Sequence, residues 1–202
     1  MMKKLFAGLL ALGLSLSLNA HAISIDLIAN QTAVNVGDNI EVQVRISGLS
    51  DASAPALGVY DVNFNYDASL FNFSSILWGD STLGNQLDLN GFGSLQDSSS
   101  GLDWLSALEI SFDDALDLEL LQAGEFTLFS VLLNAVAIGS GNFSLTVNTI
   151  GDAYGNDLSI DTITGTTVNV ASISVPEPSS LLLLLGMLAV IALRAKMSQS
   201  QK

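Results

Sequence analysis

Polar and apolar residues alternate along most of this chain with a period of two. Residues 39–49 read NIEVQVRISGL, and one face of this stretch carries Ile40, Val42, Val44 and Ile46. The same alternation occurs in residues 23–29 and 58–67. Because successive side chains of a strand point to opposite faces, this pattern predicts half-buried β-strands.

Further stretches are rich in residues that favour strands and are separated by glycine, asparagine and aspartate; they are 70–78, 105–112, 126–138, 142–150 and 165–173. Short strands between such turn residues predict an all-β sandwich with one hydrophobic core. After 105–112 the leucine spacing fits strand and helix alike, and an acidic loop or short helical turn is expected. Residues 90–101, NGFGSLQDSSSG, predict a mobile loop.

The N-terminus has the three parts of a secretory signal peptide, predicted over residues 1–22. Lys3 and Lys4 precede an apolar run, and Ala20 and Ala22 flank His21 as a small-x-small cleavage site. Signal peptidase is therefore the first expected partner, and the mature protein is expected to begin at Ile23. An uncleaved membrane anchor is the weaker alternative because the apolar run is short.

Composition narrows the chemistry of the body. All of the 20 acidic residues except Glu177 lie between Asp26 and Asp161, and the only basic residue there is Arg45. Such a surface repels nucleic acid, which is excluded as a partner. The chain has no cysteine, and its one histidine, His21, is expected to leave with the signal peptide. These absences exclude disulfides, a Ser-His-Asp triad, a cysteine nucleophile and a His-ligated zinc site.

The order of features in the body resembles the cohesin family. The matching stretches are residues 34–49, 58–76, 123–147 and 152–157, and the sharpest is YDASLFNF, which begins at Tyr66. The resemblance implies a jelly-roll sandwich of about nine strands, related to carbohydrate-binding modules, over residues 23–170, with a linker at 171–175. The chain departs from the family in lacking lysine here and in its Gly/Ser loop. No residue identifies a dockerin-binding face, so a dockerin is not carried over as a partner.

The C-terminus ends in an extended motif, an apolar segment and a basic cluster. Val175, Pro176, Glu177 and Pro178 open the motif VPEPSS, and the prolines keep the chain out of a helix. A transmembrane helix is predicted over 179–193. Its apolar run from 181 to 193 is about 20 Å long, which is short for a hydrocarbon core of about 30 Å. Arg194 and Lys196 follow as a basic stop that holds the tail in the cytoplasm.

This arrangement over residues 176–202 resembles the PEP-CTERM sorting signal. The resemblance implies a Gram-negative bacterium, processing by an exosortase and an association with exopolysaccharide. The membrane is then only a transient partner, and the processed protein is expected in the cell envelope, at the surface or outside the cell. An ordinary tail anchor, whose prolines only interrupt the chain before the helix, is the alternative.

Two acidic stretches are candidate cation sites because carboxylate and amide oxygens suit Ca²⁺. The first spans residues 113–119, where a solvated loop that keeps the protein soluble is the favoured interpretation. The second contains Asp152, Asn156 and Asp157, where ordinary turn chemistry competes with Ca²⁺ binding. No other cofactor is implied.

Aromatic residues offer a second kind of site. Trp78 and Trp104, with Tyr60 and Tyr154, are candidates for stacking on sugar rings if they are exposed on one face, although such residues more often belong to the core. Paired carboxylates such as Asp113, Asp114 and Asp117 are the basis for a carboxylate glycoside hydrolase, the least favoured alternative because so many acids are present.

The sequence therefore predicts an exported, non-enzymatic protein of the envelope, extracellular matrix or biofilm. It is expected to act in adhesion or assembly by binding a surface protein or extracellular polysaccharide. A carbohydrate-binding module that recognises exopolysaccharide is the alternative function.

Overall fold

The structure is a computed structural model that describes residues 22–49, 55–172, 184 and 186–188. The chain divides into two units, Met1–Ala171 and Ser172–Lys202. In the second unit the described positions are helical. No helix in the described ranges is long and apolar enough to cross a membrane. The predicted signal peptide up to residue 21, the sorting motif, the basic stop and most of the predicted helix 179–193 lie outside the described residues.

The first unit consists of eleven strands and one short helix in its described part. The strands are β1 Ser24–Ala29, β2 Ala33–Asn35, β3 Asn39–Ser47, β4 Leu57–Asn65, β5 Phe71–Trp78, β6 Ser94–Ser100, β7 Trp104–Ser111, β8 Glu125–Ala135, β9 Gly139–Asp152, β10 Thr162–Thr164 and β11 Thr166–Ala171. The helix α1, Ala115–Leu121, lies between β7 and β8.

These strands form two sheets that pack as a sandwich. The five-stranded sheet has the order β10-β1-β3-β8-β5, and the six-stranded sheet has the order β2-β11-β9-β4-β7-β6. Neighbouring strands are antiparallel except at one end of each sheet, where β10 pairs with β1 and β2 pairs with β11 in parallel. The predicted all-β sandwich is confirmed.

Apolar side chains from the inner faces of both sheets fill the space between them. Phe71 on β5 and Phe143 on β9 bring their ring centroids within 4.9 Å, and Tyr60 on β4 lies 6.0 Å from Phe129 on β8. All residues of this core lie between Ile23 and Val170. The described residues of the body, which spans residues 23–172, therefore form a hydrophobic core of their own, as a folding unit does.

One glycine of β9 is required by this packing. A Cβ at Gly141 would overlap the ring of Phe71, so only glycine lets β9 approach the aromatic core this closely.

The predicted strands over 23–29, 39–49, 58–67, 70–78 and 105–112 are confirmed with end shifts of one or two residues, and α1 confirms the helical turn. The predicted loop over 90–101 is wrong for residues 94–100, which form β6. Its serine-rich sequence disfavours a strand by itself, but pairing with β7 along seven residues and polar contacts beneath it outweigh that preference. The sequence analysis also missed β2 and β10, because a strand of three residues is too short to show an alternating pattern. With these strands the sandwich has eleven strands in its described part instead of about nine.

Candidate binding surface

The outer face of the six-stranded sheet is a broad surface with few charges, which we call the amide face. Its members are the outward residues of β4, β6, β7 and β9; they include Val59, Asp61, Asn63, Asn65, Leu95, Asp97, Trp104, Ser106, Leu108, Ile110, Thr146 and Asn148. The alternation predicted from sequence produces this face, because Tyr60, Val62 and Phe64 on β4 point inward and are buried. Asp61 and Asp97 are the ionisable side chains among these members.

Hydrogen bonds between side chains order the amide face across β4 and β9. Asn148 donates from Nδ2 to Asp61 Oδ1 at 3.1 Å, and Asn63 donates to Asn148 Oδ1 at 3.4 Å. Asn65 donates from Nδ2 to Thr146 Oγ1 at 3.1 Å. Asparagine and threonine keep further donors and acceptors free for a ligand, so the face can be preorganised and still bind.

The outer face of the five-stranded sheet differs in chemistry. It exposes Asp26, Glu41, Arg45 and Glu125, and the last two form a solvent-exposed ion pair. The cores of protein interfaces are depleted of charged residues, so the amide face suits a macromolecular partner better.

A buried carboxylate lies beneath the amide face. Glu109 on β7 is 0% exposed and points between the sheets. Its oxygens accept hydrogen bonds at 2.5–2.9 Å from Tyr60 Oη, Asn85 Nδ2, Ser94 Oγ and Gln96 Nε2. Burial and the neighbouring Glu109 raise the pKa of Tyr60 well above its ordinary value, so its hydroxyl remains a donor. The sequence analysis missed Glu109. The sequence does contain a sign of this residue: in residues 105–111, LSALEIS, Glu109 falls at the alternate positions that Leu105 and Ala107 mark as buried.

Two buried glutamines, also missed, attach the segment between β5 and β6 to the sandwich. Gln122 donates to the carbonyl oxygens of Leu57 and Gln86, and its own oxygen accepts from the Leu57 N–H at 2.7 Å. Gln86 accepts from the Ala123 N–H at 2.9 Å. Neither glutamine belongs to a sequence pattern that distinguishes it from a surface residue.

Asp80 anchors the beginning of the same segment. Partial burial opposes ionisation of Asp80, but hydrogen bonds from the N–H groups of Leu83, Thr82 and Thr127 outweigh it and lower its pKa. The contact with Thr127 joins the segment to β8 at 3.0 Å.

Three acids of 113–119 accept hydrogen bonds from neighbouring residues. Asp113 accepts from the N–H groups of Leu89 and Asn90, and Asp117 accepts from Asn90 Nδ2 at 2.9 Å. Asp114 is the N-cap of α1 and accepts from the Leu116 N–H. These contacts hold the segment between β5 and β6 against α1.

The candidate Ca²⁺ residues form a tight turn. Slight burial raises the pKa of Asp152, but hydrogen bonds from Asn156, Tyr154 and Gly155 outweigh it, so the pKa is lowered overall. Both carboxylate oxygens of Asp152 already accept bonds within the turn, and Asp157 pairs with Gly151 through the backbone. Within the described ranges, no group of three or more acidic or histidine side chains is arranged to hold a metal ion. Ca²⁺ binding stays a prediction.

The aromatic candidates do not form one platform. Trp78, on the five-stranded sheet, packs against Phe129 at the edge of the core, and Tyr60 is fully buried. Trp104 is 38% exposed on the amide face, while Tyr154 lies on the turn after β9 and donates to Glu119. Trp104 is therefore the aromatic candidate that shares the amide face.

Comparisons with known proteins agree with this fold. The cohesin domain matches residues 26–93, and the PEP-CTERM protein-sorting motif matches residues 174–196. No curated protein matches the chain in sequence.

Similar solved structures are cohesins. A non-cellulosomal cohesin from the archaeon Archaeoglobus fulgidus is 20% identical, with a TM-score of 0.54 over 76% of this chain and 94% of that one. A type II cohesin domain from the cellulosome of Acetivibrio cellulolyticus is 13% identical, with a TM-score of 0.59 over 73% and 95%. A Clostridium thermocellum structure of a type I cohesin–dockerin complex is 17% identical, with a TM-score of 0.58 over 74% and 99%. The chain thus combines a cohesin-like β-sandwich body with a PEP-CTERM protein-sorting motif.

Proposed function

We propose that the body is a non-catalytic binding module that holds a protein partner on the amide face. The observation that carries this proposal is the contrast between the two sheets, since a strongly acidic body keeps one broad face of amide, hydroxyl and apolar side chains. Interfaces of this composition bury apolar area and satisfy polar groups at the same time. A dockerin is the partner in the similar Clostridium thermocellum complex, and a dockerin-like module is the first partner to test.

The sorting motif supports a location for this module outside the inner membrane. A signal peptide exports the chain, an exosortase cuts near Pro178, and the body reaches the envelope, the surface or the extracellular matrix. Its work there is adhesion or assembly, including assembly of a biofilm with exopolysaccharide.

Polysaccharide is the second candidate ligand. Trp104 supports it, because an exposed indole beside Asn65 on the outer face of the sheet combines a stacking surface with hydrogen-bonding groups.

The chemistry left in the body supports a binding role. It offers carboxylates, hydroxyls, amides and Arg45, and Asp113, Asp114 and Asp117 are engaged in structural hydrogen bonds. We therefore expect no hydrolysis. Glycosidase turnover that disappears in Asp113→Asn would overturn this expectation.

Binding assays on the immobilised body, residues 23–172, test the proposal. The probes are a purified dockerin module, the extracellular proteins of the host and, separately, its purified exopolysaccharide. Asn63→Arg places a long charged side chain at the centre of the amide face, and Gln43→Arg on the five-stranded sheet is the matched control. Protein binding lost only in Asn63→Arg supports the proposal. Polysaccharide binding lost in Trp104→Ala supports the second candidate, and binding that survives both changes contradicts the assignment of this face.

A further inference from the structure

Strand β6 forms an unusually open edge of the six-stranded sheet. It runs for seven residues with a continuous register against β7, and six of those residues are exposed. On its other side it has no strand partner among the described residues. Edge strands are usually protected by charged side chains, proline, bulges or short length, and of these β6 has a single charge, that of Asp97. By contrast, the edge strands β2 and β10 have three residues each, and β5 has a bulge near Ser75.

The hydrogen-bond pattern identifies which backbone groups of β6 are free. The Gly101 N–H donates to the Trp104 carbonyl, so this pair is of the hydrogen-bonded kind. In an antiparallel ladder, hydrogen-bonded pairs alternate with pairs that are not hydrogen-bonded. The backbone N–H and C=O groups of the odd-numbered residues of β6 therefore point towards β7. The backbone N–H and C=O groups of Ser94, Gln96, Ser98 and Ser100 consequently point away from the sheet.

A second copy of the chain can pair with this edge about a two-fold axis. An axis at Asp97 would place two Asp97 carboxylates directly opposite each other, which is unfavourable. An axis at Ser98 avoids that contact, because Asp97 then faces Ser99 and Gln96 faces Ser100 of the second copy. Residues 96–100 pair in this register through their outward backbone groups.

The same register covers two exposed apolar side chains. Leu95 is 46% exposed on the amide face, and it would face Gly101 of the second copy. Gly101 has no side chain, and the Trp104 indole leans over it, since a Cβ there would overlap Nε1. Leu95 of each copy would therefore contact Trp104 of the other, so that the two-fold axis generates this apolar contact twice.

We propose that two copies of the body associate through antiparallel pairing of β6 about Ser98. The product is a continuous sheet of twelve strands in which the two amide faces lie side by side. Two linked faces bind a repetitive or multivalent partner more tightly than one face does. Both copies are strongly acidic, so screening by salt strengthens the association.

Cysteine cross-linking tests the register directly, because the chain has no cysteine of its own. In Ser98→Cys the two Cα atoms would be about 5.5 Å apart, which a disulfide can span. In Ser100→Cys, the matched control, each cysteine faces Gln96 instead. Mild oxidation of the body is expected to give a covalent dimer with Ser98→Cys and none with Ser100→Cys.

Sedimentation of the body without cysteines tests the association itself. We expect wild type and Ser98→Ala to show twice the monomer mass at high concentration and high salt. Ser98→Pro removes an N–H that points away from β7, so the body still folds but is expected to sediment as a monomer. A wild-type body that remains monomeric overturns the proposal. A dimer that survives Ser98→Pro and is not cross-linked by Ser98→Cys overturns it as well, because the interface then lies elsewhere.

Discussion

Replacing Glu109 by alanine should destabilise the body by about 3 kcal/mol, although the residue touches no solvent and no ligand. The Glu109 carboxylate accepts hydrogen bonds from Tyr60, Asn85, Ser94 and Gln96. It therefore connects β4, the segment before β6, and β6 to β7.

The size of the destabilisation depends on whether each donor can find another acceptor once the Glu109 carboxylate is removed. Asn85, Ser94 and Gln96 are partly exposed, so water can replace the lost acceptor. Tyr60 is fully buried, and its nearest other acceptor is the Leu128 carbonyl at a long 3.5 Å. Leaving the buried Tyr60 hydroxyl without an acceptor lowers the free energy of unfolding by about 1–3 kcal/mol. The cavity left by the shortened side chain adds about 1–2 kcal/mol, and the desolvation of the carboxylate that is no longer required offsets part of the sum.

Thermal unfolding of residues 23–172 measures the effect. For a domain of this size, about 3 kcal/mol corresponds to a fall in Tm of about 6–12 °C. Glu125→Ala is the matched control, because Glu125 is exposed and its ion pair with Arg45 should contribute less than about 1 kcal/mol. If both variants melt within the error of one another, the Glu109 cluster does not stabilise the sandwich and the reasoning is wrong.

Three further predictions concern pH, Ca²⁺ and sorting. The lowered pKa of Asp80 stabilises the fold above the unfolded pKa of about 3.9, and this contribution is lost as pH falls through the lower folded value. Asp80→Asn should therefore lower Tm at neutral pH and make Tm decrease less steeply as pH falls from about 5 to about 2. Parallel curves of Tm against pH for the wild type and the variant would contradict this. Ca²⁺ at Asp152 should raise Tm, with a gain of about 2.7 kcal/mol at a hundred times Kd, and equal midpoints in EDTA and millimolar Ca²⁺ would exclude the site. Glu177→Ala should leave export intact but accumulate uncut precursor, and mass spectrometry that finds the Arg194 peptide on wild-type surface protein would instead favour the tail anchor.

The fold class and the tail could be predicted because their signals are local. In β3, apolar side chains occupy every second position, from Ile40 to Ile46. Because that face is buried, a shift of the pairing by one residue would expose it, so β3 can pair in only one register. The sorting motif is likewise a short linear signal, and it matches residues 174–196.

The amide face and β6 could not be assigned by the same means. Asn63 and Asn148 are far apart in the chain and form a surface only because β4 and β9 pair. β6 has the composition of a loop, and it becomes a strand because β7 offers backbone partners and Glu109 binds Ser94 and Gln96. Sequence alone determined which residues face inward on regular strands, since side-chain alternation is a property of neighbouring residues. Only the tertiary structure decided which polar residues meet, because hydrogen bonds between distant segments depend on sheet pairing and burial, and no local pattern encodes them.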